Sequence, residues 1–267
     1  MNTQNRHKSA TQPDYGIDAP GIRLGMFAAG VVGLLLASAA NLAGPYIAWI
    51  PTGLKTAVLI VGLIAAAYGF FMGSYMTWAS RVGKLRTRQR LLDGAAHMLN
   101  WTGREKVLDV GCGRGLMLVG AALRLTQGVA IGIDLWRAED QANNTPEAAL
   151  GNARLAGVAD RISVDTGDAR DLPYPDASFD LVVSHWVVHN IADRKDRLQV
   201  LDEMLRVLRP GGVIALSDIE HVRDYRDHLL GAGAVDVKVL HGGAEAAVMG
   251  VLSGGSFRPQ ALFARKA

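Results

Sequence analysis

Three glycines at alternate positions, Gly111, Gly113 and Gly115, follow the apolar run Val107–Val110 and precede Leu116–Leu125, whose apolar spacing is helical. Glycine there lets the backbone bend tightly and lets a ligand come close to it. The spacing is not that of a pyrophosphate loop. The dinucleotide pattern needs glycine at 116, where leucine stands, and a Walker loop needs a Gly-Lys-Ser/Thr that is absent. The loop therefore admits a ligand with a polar, even cationic, end beside Asp109. A second acid, Asp134, closes the run Val129–Asp134, where a carboxylate can accept two hydrogen bonds from ribose hydroxyls. A third, Asp168 in Gly167-Asp168-Ala169, can accept from an adenine amino group. Any one of these acids reads as a solvated surface group. Three, each closing a strand in register with the glycine loop, read as one site.

Ser184-His185-Trp186-Val187-Val188-His189-Asn190 brings two imidazoles to the end of a further strand. Histidine titrates near neutrality, so His189, and after it His185, suit a general base or a substrate-orienting group. The competing reading is a pair of hydrogen-bonded structural histidines. As a metal pair at i, i+4 they lack an evident third ligand, and no metal is expected. Asp218 and His221, after the next strand, can face the same pocket. Cys112, the single cysteine, has no histidine near it in sequence and reads as a small filler in a tight turn.

The elements that must position these residues alternate. Strands are expected at Lys106–Val110, Val129–Asp134, Arg161–Asp165, Phe179–Ser184, Val213–Ser217, Val235–Leu240 and Ala261–Arg265. Helices are expected at Leu116–Leu125, from Thr145-Pro146 to near Gly157, at Asp193–Leu208 up to the Pro210-Gly211-Gly212 stop, and at Asp224–Leu230. Alternation of this kind implies a parallel, doubly wound sheet, with ligands at the carboxyl ends of its strands.

Taken in order, Val107–Gly115, Gly132–Asp134, Gly167-Asp168-Ala169, Leu172–Asp180 and Leu208–Gly212 resemble the successive motifs of class I S-adenosylmethionine-dependent methyltransferases, nearest to the small-molecule, ubiquinone/menaquinone-type branch. The resemblance covers roughly 104–267 and is specific for the cofactor, not the substrate. It implies a Rossmann-like α/β fold, a seven-stranded sheet with helices on both faces and an antiparallel last strand. It implies that the glycine loop and Asp109 hold the methionine part of S-adenosyl-L-methionine, that Asp134 holds the ribose, and that Asp168 with Ala169 holds the adenine. Leu135 and Trp136 would flank that ring, Ser184 would border the cofactor, and Ser184–Asn190 would face both cofactor and substrate. A departure is the long polar stretch Trp136–Thr145, where many members run almost directly into the helix.

The N-terminal third is different. Of the 267 residues, 49% are hydrophobic and 20% charged, which excludes a disordered chain, and one cysteine excludes a disulfide scaffold. Residues 1–90 hold nine basic and two acidic side chains, net +7; the remainder is net −4, which argues against a nucleic-acid surface there. Leu24–Ala43 and Thr56–Ala79 are uncharged and long enough to span a bilayer. The link Asn41–Lys55 carries the helix breakers Gly44, Pro45, Pro51 and Gly53, with Tyr46 and Trp49 suited to an interface. Arg6, Lys8 and Arg23 precede the first span, and Arg81, Lys84, Arg86, Arg88 and Arg90 follow the second, so both ends and the catalytic domain are expected in the cytoplasm. Small-residue faces, Gly25, Ala29, Gly33 and Ala37 on one helix and Ala65, Gly69, Gly73 and Thr77 on the other, suit close packing within the hairpin or a homodimer through it.

The expected plan is a disordered tail (1–21), a transmembrane hairpin (22–80), a basic amphipathic linker helix that can meet anionic headgroups (81–103), and a methyltransferase domain (104–267). Tethering at the bilayer points to a small, lipophilic or membrane-associated acceptor. The competing readings are a non-catalytic membrane adaptor with a relic cofactor domain and an NAD(P)-linked reductase. The intact acids speak against the first, and Leu116 against the second.

Overall fold

The computed structural model describes residues 12–42, 49–137, 143–255 and 257–267. They form two units: Gly16–Lys84, and an α/β unit of 12–15 with the described residues from Leu85 onward.

In the first unit, α1 (Pro20–Leu42) and α2 (Thr52–Trp78) form an antiparallel hairpin, both long and apolar enough to cross a membrane. Their contact is made of glycine. A Cβ on Gly33 would stand 2.6 Å from the Ala66 nitrogen, and one on Gly69 would stand 2.6 Å from the Gly30 nitrogen. Leucines and isoleucines such as Leu24, Leu35, Ile60 and Ile64 point outward, exposed. Small residues inside and large ones outside is the pattern of helices packing in lipid. The packed face is Gly30, Gly33 and Ala37 against Gly62, Ala66, Gly69 and Gly73. Gly25 and Ala29 fall outside it, because 3.6 residues per turn carries a strict four-residue repeat off the contact line. Pro45 and Tyr46 of the expected interfacial loop lie outside the described residues; Trp49 is exposed.

A π-turn at Ala79–Gly83 leads straight into α3 (Lys84–Leu99). Lys84 and Arg88 are buried rather than available to headgroups. Lys84 Nζ donates to the Gly16 carbonyl at 2.6 Å and pairs with Asp18 at 3.4 Å, while Arg88 meets the Tyr15 hydroxyl at 3.3 Å. Arg81, Arg86 and Arg90 remain exposed. Leu91, Leu92 and Ala95 lie in the α/β core, so α3 is built into that unit. Of the tail expected to be disordered, 1–11 lie outside the described residues. Residues 14 and 15 are fixed: Asp14 N donates to Asn152 Oδ1 and Asp14 O accepts from Asn152 Nδ2, each at 2.9 Å, and Tyr15 is buried.

The α/β unit runs β1 (Lys106–Val110), α4 (Leu116–Ala122), β2 (Val129–Asp134), α5 (Pro146–Leu155), β3 (Ile162–Thr166), β4 (Phe179–His185), α6 (Arg194–Val207), β5 (Leu208–Asp218), α7 (Val222–Gly231), β6 (Val235–His241), α8 (Gly243–Leu252) and β7 (Gln260–Arg265). The seven strands lie in the order β3-β2-β1-β4-β5-β7-β6, parallel except for β7, which is antiparallel to both neighbours. Adjacent residues of β1 serve opposite faces: Val107 packs with α3 and α4, and Leu108 packs with α6 and α7. Both faces are covered, so the inner strands are largely apolar, with Val107 and Leu108, Leu181–Val183 and Val213–Leu216 all buried. Thr145 caps α5, its side chain accepting from Ala148 N at 3.2 Å, with Pro146 in the first turn.

Two elements differ from the sequence expectation. Pro210-Gly211-Gly212 does not separate α6 from β5; it lies inside β5, where the pairing slips from Phe179–Leu208 to Leu181–Val213. Gly211 at φ +79° makes that bulge possible. Helix α8 was not foreseen, because its apolar residues do not repeat on one face.

Candidate active site

The sheet reverses its winding between β1 and β4; Asp109 lies near the end of β1, Asp134 closes β2 and Asp168 follows β3. The glycine loop leaves β1 and folds over β2: Gly111 N and Cys112 N donate to the Ile133 carbonyl at 2.8 and 3.2 Å. Gly111, Gly113 and Gly115 all have φ between +51° and +82°. A Cβ on Gly111 would meet Val187 at 2.4 Å, so glycine is required there on two counts. Cys112 is buried with its sulfur filling the space over Gly132, and burial raises its thiol pKa well above the ordinary value. A buried, protonated thiol packed in this way fits the expected small filler.

Asp134 is the hub. One carboxylate oxygen accepts from Gly113 N at 2.8 Å; the other accepts from Trp136 N at 2.7 Å and Asn144 Nδ2 at 3.2 Å. The acid thus ties the glycine loop to the turn after β2. That turn holds Trp136 at φ +58°, its indole donating to Thr166 Oγ1 at 2.8 Å, and leaves Leu135 exposed. Residues 138–142 of the long polar stretch lie outside the described residues. Asn144 was not foreseen; it sits ten residues beyond Asp134, with no pattern in sequence to link them.

Asp109 is turned inward. Its carboxylate accepts from Leu118 N at 2.7 Å, in the first turn of α4, and is fully buried. Burial, reinforced by the charge of Asp134, pushes its pKa up to about 8 against the opposing Leu118 hydrogen bond. Asp168 differs again. Arg170 grips it with Nε at 3.0–3.1 Å and an amino nitrogen at 2.6 Å, reaches Asp196 with the other at 2.6 Å, and holds the Asp168 carboxyl below its ordinary range. Both oxygens of Asp168 are thus engaged by Arg170. Ala169, beside it, is partly buried against the core.

His185 and His189 separate into two roles. His185 ends β4 and stacks on Trp186, the centroids 4.8 Å apart. His189 lies in a short 3-10 turn and pairs through Nδ1 with Asp218, which also accepts from His189 N at 3.0 Å and Ile219 N at 2.9 Å. Asp218 is completely buried at the end of β5, and its nearness, after burial itself, raises the pKa of the Tyr225 hydroxyl, 3.5 Å away. A carboxylate on Nδ1 fixes the tautomer with the proton there and leaves Nε2 as the hydrogen-bond acceptor. Sequence placed Asp218 in the pocket but not on His189. The signal was available in strand adjacency, since β4 and β5 are neighbours with His185 opposite Ser217. His221 does not join them; it is exposed at the start of α7, 3.6 Å from Glu220. Among the described residues there is no cluster of three ligating side chains.

Three buried polar atoms in this region have no hydrogen-bond partner among the described residues: Ser184 Oγ, Asn144 Oδ1 and Trp186 Nε1. Each such atom costs about 1–3 kcal/mol. Unmet donors and acceptors beside an acid hub and a glycine cradle fit a ligand with hydroxyl and amino groups.

Residues 108–216 match the family model of a methyltransferase domain. Among curated proteins, methyltransferase GfsG of Streptomyces halstedii is 39% identical over 131 residues, 49% of this chain and 44% of that one. The ubiquinone/menaquinone biosynthesis C-methyltransferase UbiE of Geobacter sulfurreducens is 35% identical over 121 residues, 44% of this chain and 43% of that one. The match thus spans less than half of either relative's length. Among solved structures, the geranyl diphosphate C-methyltransferase of Streptomyces coelicolor A3(2) superposes with a TM-score of 0.53 at 16% identity, over 68% of this chain and 80% of that one. The [4+2]-cyclase SpnF does so at 0.50 and 23%, over 66% and 80%. At these identities the superpositions show the fold. The family match and the curated relatives, set beside the glycine loop and the acids near the strand ends, show that the α/β unit of this chain carries a methyltransferase domain similar to those of the class I S-adenosylmethionine-dependent methyltransferases.

Proposed function

We propose that this protein transfers a methyl group from S-adenosylmethionine to a hydroxyl of a small, lipophilic acceptor at a membrane surface. The observation that carries the reading is the Asp134 hub, which locks the glycine loop to the turn after β2 at the switch point of the sheet. The ribose would lie at Asp134 and the methionine end over Gly111, Gly113 and Gly115, with the buried Asp109 behind that loop. The adenine would lie between Leu135, Trp136 and the Asp168-Ala169 turn, and Ser184 and Asn144 would satisfy their spare polar atoms on the cofactor. When bound, that cofactor supplies a methyl on a sulfonium, whose departure leaves a neutral thioether.

The chain's own contribution is orientation and a proton sink. Holding two reactants in line is worth roughly 7–11 kcal/mol. His189 Nε2 would take the proton of the acceptor hydroxyl as that oxygen becomes methylated. The buried Asp218 carboxylate orients the ring and stabilises the imidazolium. The outward leucines of the α1–α2 hairpin and the positive flanks on both of its ends support a two-span anchor with the N-terminus and catalytic unit cytoplasmic. An anchored enzyme meets acceptors that partition into the bilayer, which is why a lipophilic acceptor is favoured.

The test is calorimetry of the full-length protein in detergent with S-adenosylmethionine, S-adenosylhomocysteine and NADP, followed by transfer of labelled methyl to lipid extracts and to water-soluble phenols. Binding of both adenosyl ligands and labelling of a lipid-soluble product is expected. Preference for NADP would defeat the cofactor assignment. Donor binding with no transfer to any acceptor would favour the non-catalytic adaptor, and labelling confined to soluble acceptors would defeat the membrane assignment.

A further inference from the structure

Trp186 is an unusual residue in an unusual place. It follows β4 directly, three residues before His189, and adopts φ +59°, a left-handed conformation that a bulky side chain rarely takes. Its backbone N–H donates to the Ser217 carbonyl at 2.8 Å, so neighbouring strands hold the strained turn in place. Its indole N–H is buried with no acceptor among the described residues. Backbone strain and an unmet polar atom in one residue are features that collect at ligand sites.

The rings around it are arranged as a wall. His185 lies nearly parallel to the indole at 22°, and Phe257 stands edge-on to it at 84°, centroids 5.5 Å apart. Phe257 comes from the connection between β6 and β7, which carries α8. An aromatic edge directed at an indole is a favourable contact in its own right.

We propose that Trp186 and Phe257 form the acceptor subsite. The Trp186 indole N–H holds an oxygen of a phenol- or hydroquinone-type acceptor, and the acceptor's ring takes the place of the Phe257 ring, which turns aside about its own χ1. The Phe257 ring is in this sense an intramolecular stand-in for the substrate. The proposal deepens the methyl-transfer reading and rests on it: the same acceptor would present its hydroxyl to His189.

The test uses full-length protein in detergent, with 4-hexylphenol and hexylbenzene as probes, read by tryptophan fluorescence or calorimetry in the absence of donor. Trp186→Phe keeps an aromatic ring and removes the N–H. It is expected to weaken 4-hexylphenol binding roughly tenfold, to raise KM more than it lowers kcat, and to leave hexylbenzene and S-adenosylhomocysteine binding unchanged. Phe257→Ala removes the stand-in ring and is expected to tighten binding of both probes. Equal affinity of wild type and Trp186→Phe for the phenol overturns the proposal. So does an equal loss of phenol and hydrocarbon in that variant, which would mark a packing role. Loss of S-adenosylhomocysteine affinity in the wild type would instead overturn the methyl-transfer reading, since probe binding is measured without donor.

Discussion

Replacing Asp109 by asparagine should stabilise the ligand-free protein, and do so more as pH rises. The carboxyl is fully buried, and its pKa stands at about 8 against an ordinary 3.8. Below about pH 4 it is protonated in folded and unfolded chains alike, and the folded protein bears no penalty. Between pH 4 and 8 the folded state binds the proton more tightly than the unfolded one, so stability falls as pH rises. Each unit corresponds to about 1.4 kcal/mol, so going from pH 5 to 7.5 removes roughly 3 kcal/mol at this one site. Asparagine is neutral throughout, and its side-chain oxygen can still accept from Leu118 N. The gap in melting temperature between variant and wild type should therefore widen by roughly 6–12 °C over that interval, at ~2–4 °C per kcal/mol for a domain of this size. Thermal unfolding followed by circular dichroism at half-unit pH steps measures it. Parallel pH profiles for the two proteins would mean that Asp109 is already ionised, and would refute the argument. The same physics predicts proton release when a cationic ligand binds beside this group, seen as a buffer-dependent binding enthalpy that Asp109→Asn abolishes.

Three further outcomes test other parts of the structure. Asp218→Asn should lower kcat roughly 10²- to 10⁴-fold while leaving S-adenosylhomocysteine affinity intact, because Asp218 orients His189; unchanged turnover would show that His189 is structural. In the hairpin, Gly33→Leu should destabilise strongly, since a Cβ there meets the Ala66 nitrogen at 2.6 Å, while Gly25→Leu, with nothing within 4 Å, should be neutral; unfolding in detergent separates the two, and equal effects would contradict the packed face. Thr145→Ala should cost about 1 kcal/mol through loss of the α5 cap, read from chemical denaturation.

How much of this was legible beforehand depended on the range of the interaction. Thr145-Pro146 at the start of α5, the glycine loop after Val110, the acid after Ile133 and the two apolar spans are encoded by neighbours in sequence, so periodicity and composition locate them. Arg170 on Asp168 is also local, two residues away, but Arg170 pairs with Asp196 as well, and sequence spacing carries no record of that second, distant partner. The interhelical face shows the limit of a local rule. The small residues were visible, but which of them meet is set by the helical phase of two elements at once.

The sequence by itself determined the order of strands and helices apart from α8, the apolar hairpin and the residues near the strand ends, because each depends on local backbone preference and on which face must avoid water. Tertiary structure alone decided that Asp109 turns into the core while Asp134 becomes the hub, that Asp218 and His189 form a pair across adjacent strands, and that Phe257 stands against Trp186 from 71 residues away. These contacts join groups that are distant along the chain. Their energies depend on burial and on the exact approach of partners, quantities that exist once the sheet has assembled.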